Sequence, residues 1–254
     1  MADPTLKVEG LSKSFGGVVA TNNLYFEIEP GEIHAVIGPN GAGKTTLVAQ
    51  VSGMLKPDAG RILFLGRDIS GLSADARSHL GLARSFQITS IFRKFTALAN
   101  VALSIQAHRG HSFRFWKPAS TDRALIEPAR IILDDVGLGE RANMIAGNLA
   151  HGEQRQLEIA MALATQPKLL LLDEPTAGMG AEDSDRLCDF LSSLKGGVSM
   201  LLIEHDMDTV FTLADRVTVL VYGTAIANGT PDEIRQNDEV RAAYLGEDDE
   251  VDHA

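Results

Sequence analysis

The chain has 254 residues, 44% of them hydrophobic, so one large domain with or without a subdomain can bury an ample core. Its formal net charge of −11 gives a nucleic-acid partner no help from overall electrostatics. Cys188 is the single cysteine, which excludes an intramolecular disulfide and fits a reducing compartment. Met1-Ala2-Asp3-Pro4-Thr5 lacks the basic and apolar regions of a signal peptide, and no window approaches the ~20 apolar residues that span a bilayer. The expectation is a soluble, intracellular chain that reaches a membrane only through a partner.

From Leu6 to Glu29 the pattern is β. Leu6-Lys7-Val8-Glu9 alternates, and Leu24 to Ile28 alternates again before Pro30-Gly31 ends the run. Phe15 falls between these strands, just before Gly16-Gly17. An aromatic ring there either stacks on a base such as adenine or fills a core or turn position, and the residue alone favours the second.

Glu32-Ile33-His34-Ala35-Val36-Ile37 is a short apolar run fit for a buried strand. Gly38-Pro39-Asn40-Gly41-Ala42-Gly43-Lys44-Thr45-Thr46 follows it and matches G-x-x-x-x-G-K-[ST]. Thr46 to Val51 then reads as the first turns of a helix. Strand, glycine loop and helix start are together the confirming context for a P-loop. Gly38, Gly41 and Gly43 let successive N–H groups converge on an anion, and the helix start adds its positive dipole end. Lys44 supplies a mobile charge for the β- and γ-phosphates, and Thr45 a hydroxyl for Mg²⁺. The bland alternative is a glycine-rich turn with a chance Lys-Thr.

Lys56 to Gly60 reads as a turn, Arg61 to Gly66 as a strand, and Ser73 as the N-cap of a short helix. Leu82 to Gln87 looks like a further strand ending in Gln87. From 96 to 145 the composition turns helical. Thr96 to Ala107 and Thr121 to Val136 carry apolar residues at helical spacing, and Gly137-Leu138-Gly139 is a stop. The span 88–165 is therefore read as a helical subdomain inserted between two halves of a P-loop core. His108 to Lys117 is locally basic and aromatic; a solvated connector explains it as well as a membrane or partner contact does.

Asn148-Leu149-Ala150-His151-Gly152-Glu153-Gln154 leads into a helix in which Leu157, Ala160, Met161 and Ala164 share one face. Its free N–H groups can bind an anion, although by itself this is an ordinary helix entry. Leu169 to Leu172 ends in Asp173-Glu174-Pro175. A fully apolar strand ending in an acid is how a P-loop core presents a carboxylate to Mg²⁺. Asp173 is the metal-side acid, and Glu174 the candidate to polarise the attacking water. Leu201-Leu202-Ile203 repeats the design and ends in Glu204-His205, where the imidazole can sense the γ-phosphate. Val217 to Val221 and Ala225 to Asn228 look like closing strands, Thr230-Pro231 starts a capped helix, and Gly246 to Ala254 is an acidic end expected to fray.

These residues together resemble the ATP-binding cassette of ABC transporters over essentially the whole chain. The resemblance implies an α/β fold: a P-loop NTPase core with an N-terminal antiparallel β subdomain (5–87 and 166–230 with the core), the helical subdomain at 88–165, a single cassette over 5–247 and an acidic tail at 248–254. Gly38 to Thr46 is similar to the family's Walker A motif, Gln87 to its Q-loop residue (catalytic and metal-side) and Leu149 to Gln154 to its signature motif. Leu169 to Glu174 resembles Walker B with the catalytic glutamate, and His205 the switch histidine. Phe15 fits the adenine-stacking aromatic. The resemblance is greatest to the branched-chain amino-acid importer ATPases, through Leu82 to Gln87, Gly152 to Ala160, Ala177-Gly178-Met179 and Tyr244-Leu245-Gly246.

What the resemblance implies is ATP and Mg²⁺ as cofactors and a head-to-tail dimer with itself or a second ATPase. Each ATP lies between one chain's P-loop and the partner's signature helix, whose contribution here is Ala150, His151, Gly152 and Glu153. Membrane-spanning permease subunits are the direct partners and a periplasmic or extracellular substrate-binding protein an indirect one, with the chain at the cytoplasmic face of the membrane and no nucleic acid. Ala150 and His151 replace the usual Ser and first Gly of the signature, and Gly180 stands where the D-loop normally has Asp. Both departures are expected to weaken cooperativity rather than abolish hydrolysis. An amide or urea importer, a lipopolysaccharide exporter, a non-transport ABC ATPase and a nucleotide-gated module without catalysis are the competing expectations.

Overall fold

Alternating residues in the first 70 positions need one covered face, and they find it in an antiparallel sheet. The computed structural model, which describes residues 3–84, 91–108 and 122–248, pairs β1 (Leu6–Phe15) with β2 (Val18–Ile28). Then come β3 (Ile33–Ile37), α1 (Lys44–Val51), β4 (Ala59–Phe64) and β5 (Arg67–Asp68). The sheet order is β2-β1-β4-β5. Leu6, Val8, Leu11, Leu24, Ile28 and Ile62 form its buried face. β4 starts two residues earlier than expected, because Ser12 of β1 pairs with Ala59 and draws the end of the turn into the ladder.

The chain continues through α2 (Ala74–His79), β6 (Leu82–Arg84), α3 (Ala97–His108), α4 (Arg123–Asp135) and α5 (His151–Leu163). It ends with β7 (Leu169–Asp173), α6 (Ala181–Ser193), β8 (Ser199–Ile203), α7 (Met207–Leu213), β9 (Arg216–Val221), β10 (Thr224–Gly229), α8 (Pro231–Gln236) and α9 (Asp238–Asp248). A second sheet runs β10-β9-β3-β8-β7-β6, parallel throughout except for β10 at its edge. Every residue of β3, β7 and β8 is buried, which is why these strands read as continuous apolar runs instead of alternating ones. Parallel pairing also sends the C-terminal tips of β3, β7 and β8 to the same edge, the place where α/β sheets bind ligands.

A third apolar cluster, including Val101, Leu125, Leu133, Leu157 and Ala160, gathers α3, α4 and α5 and lies within the span read as an inserted helical subdomain. α5 serves two cores. Leu157 and Ala160 face this cluster, whereas Ile159 and Ala162 face the central sheet. α2 anchors the P-loop helix from behind. The Arg77 guanidinium donates to Gln50 O and Val51 O, satisfying carbonyls at the C-terminal end of α1. Burial pushes its pKa down from the ordinary guanidinium value.

Ser73 caps α2 and Thr230 closes a reciprocal cap with Glu233 on α8. α9 runs on to Asp248, past the point where fraying was expected. Asn237 caps it through Glu239 N–H and Val240 N–H, and Val240 is buried. Gln87, residues 109–117 of the basic segment and most of the acidic tail lie outside the described residues.

Candidate nucleotide-binding site

The loop between β3 and α1 is shaped by how closely other backbone approaches it. Gly43 has φ +101, and a Cβ there would come within 2.0 Å of Ala20 O on β2. Gly38 has φ +149, with the same 2.0 Å approach to Leu220 O of β9. No side chain fits at either place. The loop is braced in turn: Gly223 N–H donates to Ala42 O at 2.9 Å, and Asn22 N–H donates to Gly223 O at 2.7 Å. Lys44 Nζ donates to Gly38 O and to Pro39 O (3.0 Å), which keeps its ammonium inside the loop's curve. Pro39 is half-buried, and Asn40, Gly41 and Thr45 are exposed at the rim. Phe15 ends β1 at the hairpin turn, half exposed, with Lys13 Nζ 5.6 Å from its ring centroid.

At the next tip, Asp173 closes β7 with its side chain 2% exposed. Arg84 at the end of β6 donates from Nη2 to Asp173 Oδ2 at 3.1 Å. Glu174 follows with φ +48, unusual for a residue with a side chain and of order 1–3 kcal/mol in strain. Three neighbours hold it there. Glu174 N–H donates to Ile203 O at 2.9 Å, and Arg155 of α5 donates to both Asp173 O and Glu174 O. The third, Glu204, acts through Thr176 two residues on: it is a fully buried carboxylate that accepts from Thr176 N–H (3.2 Å), from the Thr176 hydroxyl and from His205 N–H (3.0 Å). His205 itself is exposed, and its Nδ1 lies 3.8 Å from Glu174 Oε1 and 3.7 Å from Glu204 Oε2. The acid and the imidazole are thus neighbours on one rigid edge.

The start of α5 carries no side-chain cap of its own, since Ala150 has no acceptor. Glu153 supplies half of a capping box by accepting from Ala150 N–H at 2.9 Å, and it accepts from Arg141 Nε at 3.0 Å. What 150–153 can offer an anion is therefore backbone N–H and the helix dipole; the Glu153 carboxylate is turned back onto its own helix. His151 is exposed beside Gly178. Gly180 begins α6 as its N-cap, leaving no carboxylate at that position.

The ABC transporter family profile matches residues 21–177, and that of the branched-chain amino acid ATP-binding cassette transporters matches residues 226–250. The chain belongs to the ABC transporter family. It is 42% identical to the high-affinity branched-chain amino acid transport ATP-binding protein LivG of Escherichia coli (strain K12), covering 97% of this chain and 100% of that protein. It is 39% identical, with the same coverage, to the corresponding protein BraF of Pseudomonas aeruginosa. Among solved structures it is similar to the ADP conformation of an ATP-binding cassette of an ABC transporter, with TM-score 0.84 and 29% identity over 96% of this chain and 99% of that one.

The cassette binds nucleotide and hydrolyses ATP, and the loop cradle fits that use, because only glycines permit its approach. Thr45 and Asp173 are hard oxygen donors of the kind that suit Mg²⁺. Among the described residues no group of three or more His, Cys, Asp and Glu gathers where it could hold a metal ion. The fold brings Walker A, Asp173, Glu174 and His205 to one edge. Of the 149–154 segment, Ala150 is the N-cap of α5 and His151 to Gln154 form its first turn; Gln87 lies outside the described residues. Among the described residues no helix is long and apolar enough to cross a membrane.

Sequence reasoning did not single out Arg84, Arg155 or Glu204. Arg84 lies inside Leu82 to Gln87, Arg155 inside Gly152 to Ala160, and Glu204 adjoins His205, but no local signal gave any of them a role. Their partners are 89, 18 and 28 positions away in the chain.

Proposed function

We propose that this chain powers an importer of branched-chain amino acids, paired through ATP with a second cassette, itself or a paralogue, at the cytoplasmic face of the membrane. The observation that carries the catalytic part is the approach of Glu174 and His205 at the edge where the P-loop opens. The cargo reading is supported by the LivG and BraF similarity and by the C-terminal profile match.

Lys44 turns from Gly38 O and Pro39 O to the β- and γ-phosphates, and the N–H groups of 41 to 46 fix the triphosphate. Phe15 stacks on the adenine. Thr45, Asp173 and Gln87 would hold Mg²⁺, which would supply positive charge against the charge that develops on the transferring phosphate. Glu174 orients the attacking water and takes its proton, and His205 donates to the γ-phosphate. The partner's Ala150 to Glu153 segment closes the site through its backbone. Loss of the γ-phosphate removes a group both chains grip, so the halves part and drive the permease subunits, which receive cargo from an external binding protein.

The test is Glu174→Gln in the transporter reconstituted from this ATPase, its permease subunits and its binding protein. Nucleotide affinity stays within about twofold, while phosphate release and leucine uptake fall by ~100-fold or more. Turnover near the wild-type rate removes Glu174 from the role. Normal turnover with no uptake of leucine, isoleucine or valine overturns the cargo reading alone.

A further inference from the structure

Two arginines pack beside the P-loop helix, Arg77 buried and Arg84 partly so, and they are satisfied very differently. Arg77 donates to four backbone carbonyls, those of Gln50, Val51, Ser70 and Leu72, from Nε and both terminal nitrogens. Arg84 is 11% exposed and among the described residues makes one charged contact, Nη2 to Asp173 Oδ2. Its other polar contacts are the Ser52 hydroxyl at 3.4 Å and Met54 Sδ at 3.1 Å. Its buried Nε has no hydrogen-bond partner among the described residues. Among the described residues, then, Arg77 is locked in place by four carbonyls, whereas Arg84 is held chiefly by one carboxylate.

That carboxylate is the acid read as facing Mg²⁺. β6 lies parallel to β7 with Arg84 beside Leu171, so the side chain runs along the strand for two residues and meets Asp173 at its tip. A buried carboxylate needs a cation, and a guanidinium and a divalent ion a few ångströms apart repel each other. Room for the arginine to leave adjoins it. Arg84 lines a cleft of about 240 Å³ that reaches Met54 and Ala74 on one side and Met161 and Ala162 of α5 on the other.

We propose that Arg84 is a displaceable counter-ion for Asp173, which holds the acid in place until a divalent cation takes over and thereby sets how strongly nucleotide binding depends on Mg²⁺. This rests on the assignment of Asp173 to the metal side. Arg84 touches neither nucleotide nor reacting atoms; it is a positioning residue, and its removal should strengthen metal-assisted binding instead of weakening it.

The experiment compares ATP affinity with Mg²⁺ to ATP affinity in EDTA, by calorimetry on the whole chain. Arg84→Gln raises that ratio about fivefold, because Asp173 is left with no competing cation, and Arg84→Lys, which keeps the charge, stays within about twofold of wild type. Arg84→Gln also lowers the melting temperature in EDTA, and MgATP restores it by a larger increment than in wild type. In an Asp173→Asn background, Arg84→Gln leaves the ratio where it was. A ratio in Arg84→Gln equal to or below that of wild type overturns the proposal, as does an Arg84→Lys variant that behaves like Arg84→Gln. An Asp173→Asn variant with the wild-type ratio instead removes Asp173 from the metal side, and the proposal falls with that assignment.

Discussion

Two helix starts in this cassette carry N–H groups that an anion can use, and they are built in opposite ways. α1 begins in a loop pressed against β2 and β9, with Gly43 and Gly38 each 2.0 Å from a carbonyl oxygen by the Cβ measure. α5 begins in the open, with Ala150 exposed and Glu153 reaching back to close it. A Cβ on Gly152 would meet Met179 Cε and Asp183 Oδ2 at 3.4 Å, an ordinary contact. Both starts carry the same positive dipole end. What differs is where their geometry comes from: tertiary backbone packing fixes the first, and local capping suffices for the second.

That contrast makes ranked predictions. Gly43→Ala carries the largest effect. It forces Ala20 away and should reduce ATP affinity by ~1,000-fold or prevent folding, read by calorimetry beside circular dichroism. Gly152→Ala at the other start should fold and bind ATP within about threefold of wild type, and parity between the two variants would break the comparison. Lys44→Ala comes next, with a loss of ~10- to 100-fold in nucleotide affinity and no change in fold; unchanged affinity contradicts the P-loop assignment.

Glu204→Ala leaves two backbone N–H groups and a hydroxyl without their acceptor in a buried place. It should lower unfolding stability by ~2 kcal/mol in urea melts and reduce turnover more than ATP binding. Equal loss in both would assign Glu204 to packing alone. Glu153→Ala removes the substitute cap of α5 and should lower stability by ~1 kcal/mol, while isolated-chain ATP affinity holds. The smallest effect belongs to Ala150→Ser, which restores a hydroxyl at the N-cap: ~0.5 kcal/mol of added stability and tighter ATP-driven pairing. If Ala150→Ser raises stability and leaves pairing untouched, the hydroxyl caps the helix and does not reach the partner's phosphate.

The motifs were legible because local sequence carries their physics. A glycine loop between an apolar strand and a helix start, and acids at the ends of apolar strands, announce themselves without any alignment of distant parts. The helix caps at Ser73 and Thr230 were equally readable, since cap and capped N–H groups lie within three residues. The start of β4 at Ala59 was not, because pairing with Ser12 across a long connection overrides the local turn signal. Nor was the division of α5 between two cores, for its helical periodicity records an apolar face and not which neighbour covers it.

By itself, then, the sequence determined which residues carry charge, hydroxyl and flexible backbone, and the order of strands and helices that hold them. Tertiary structure alone decided that Glu204 should tie Thr176 to His205, that Arg155 should hold the peptides of Asp173 and Glu174, and that Arg84 should reach Asp173. Parallel pairing of β6, β7 and β8 brings the segments of Arg84, Thr176 and Glu204 side by side, and the packing of α5 on the sheet brings Arg155. Parallel partners are joined only by long crossover connections, so which strand tips become neighbours is decided when the sheet assembles and not by any short stretch of chain.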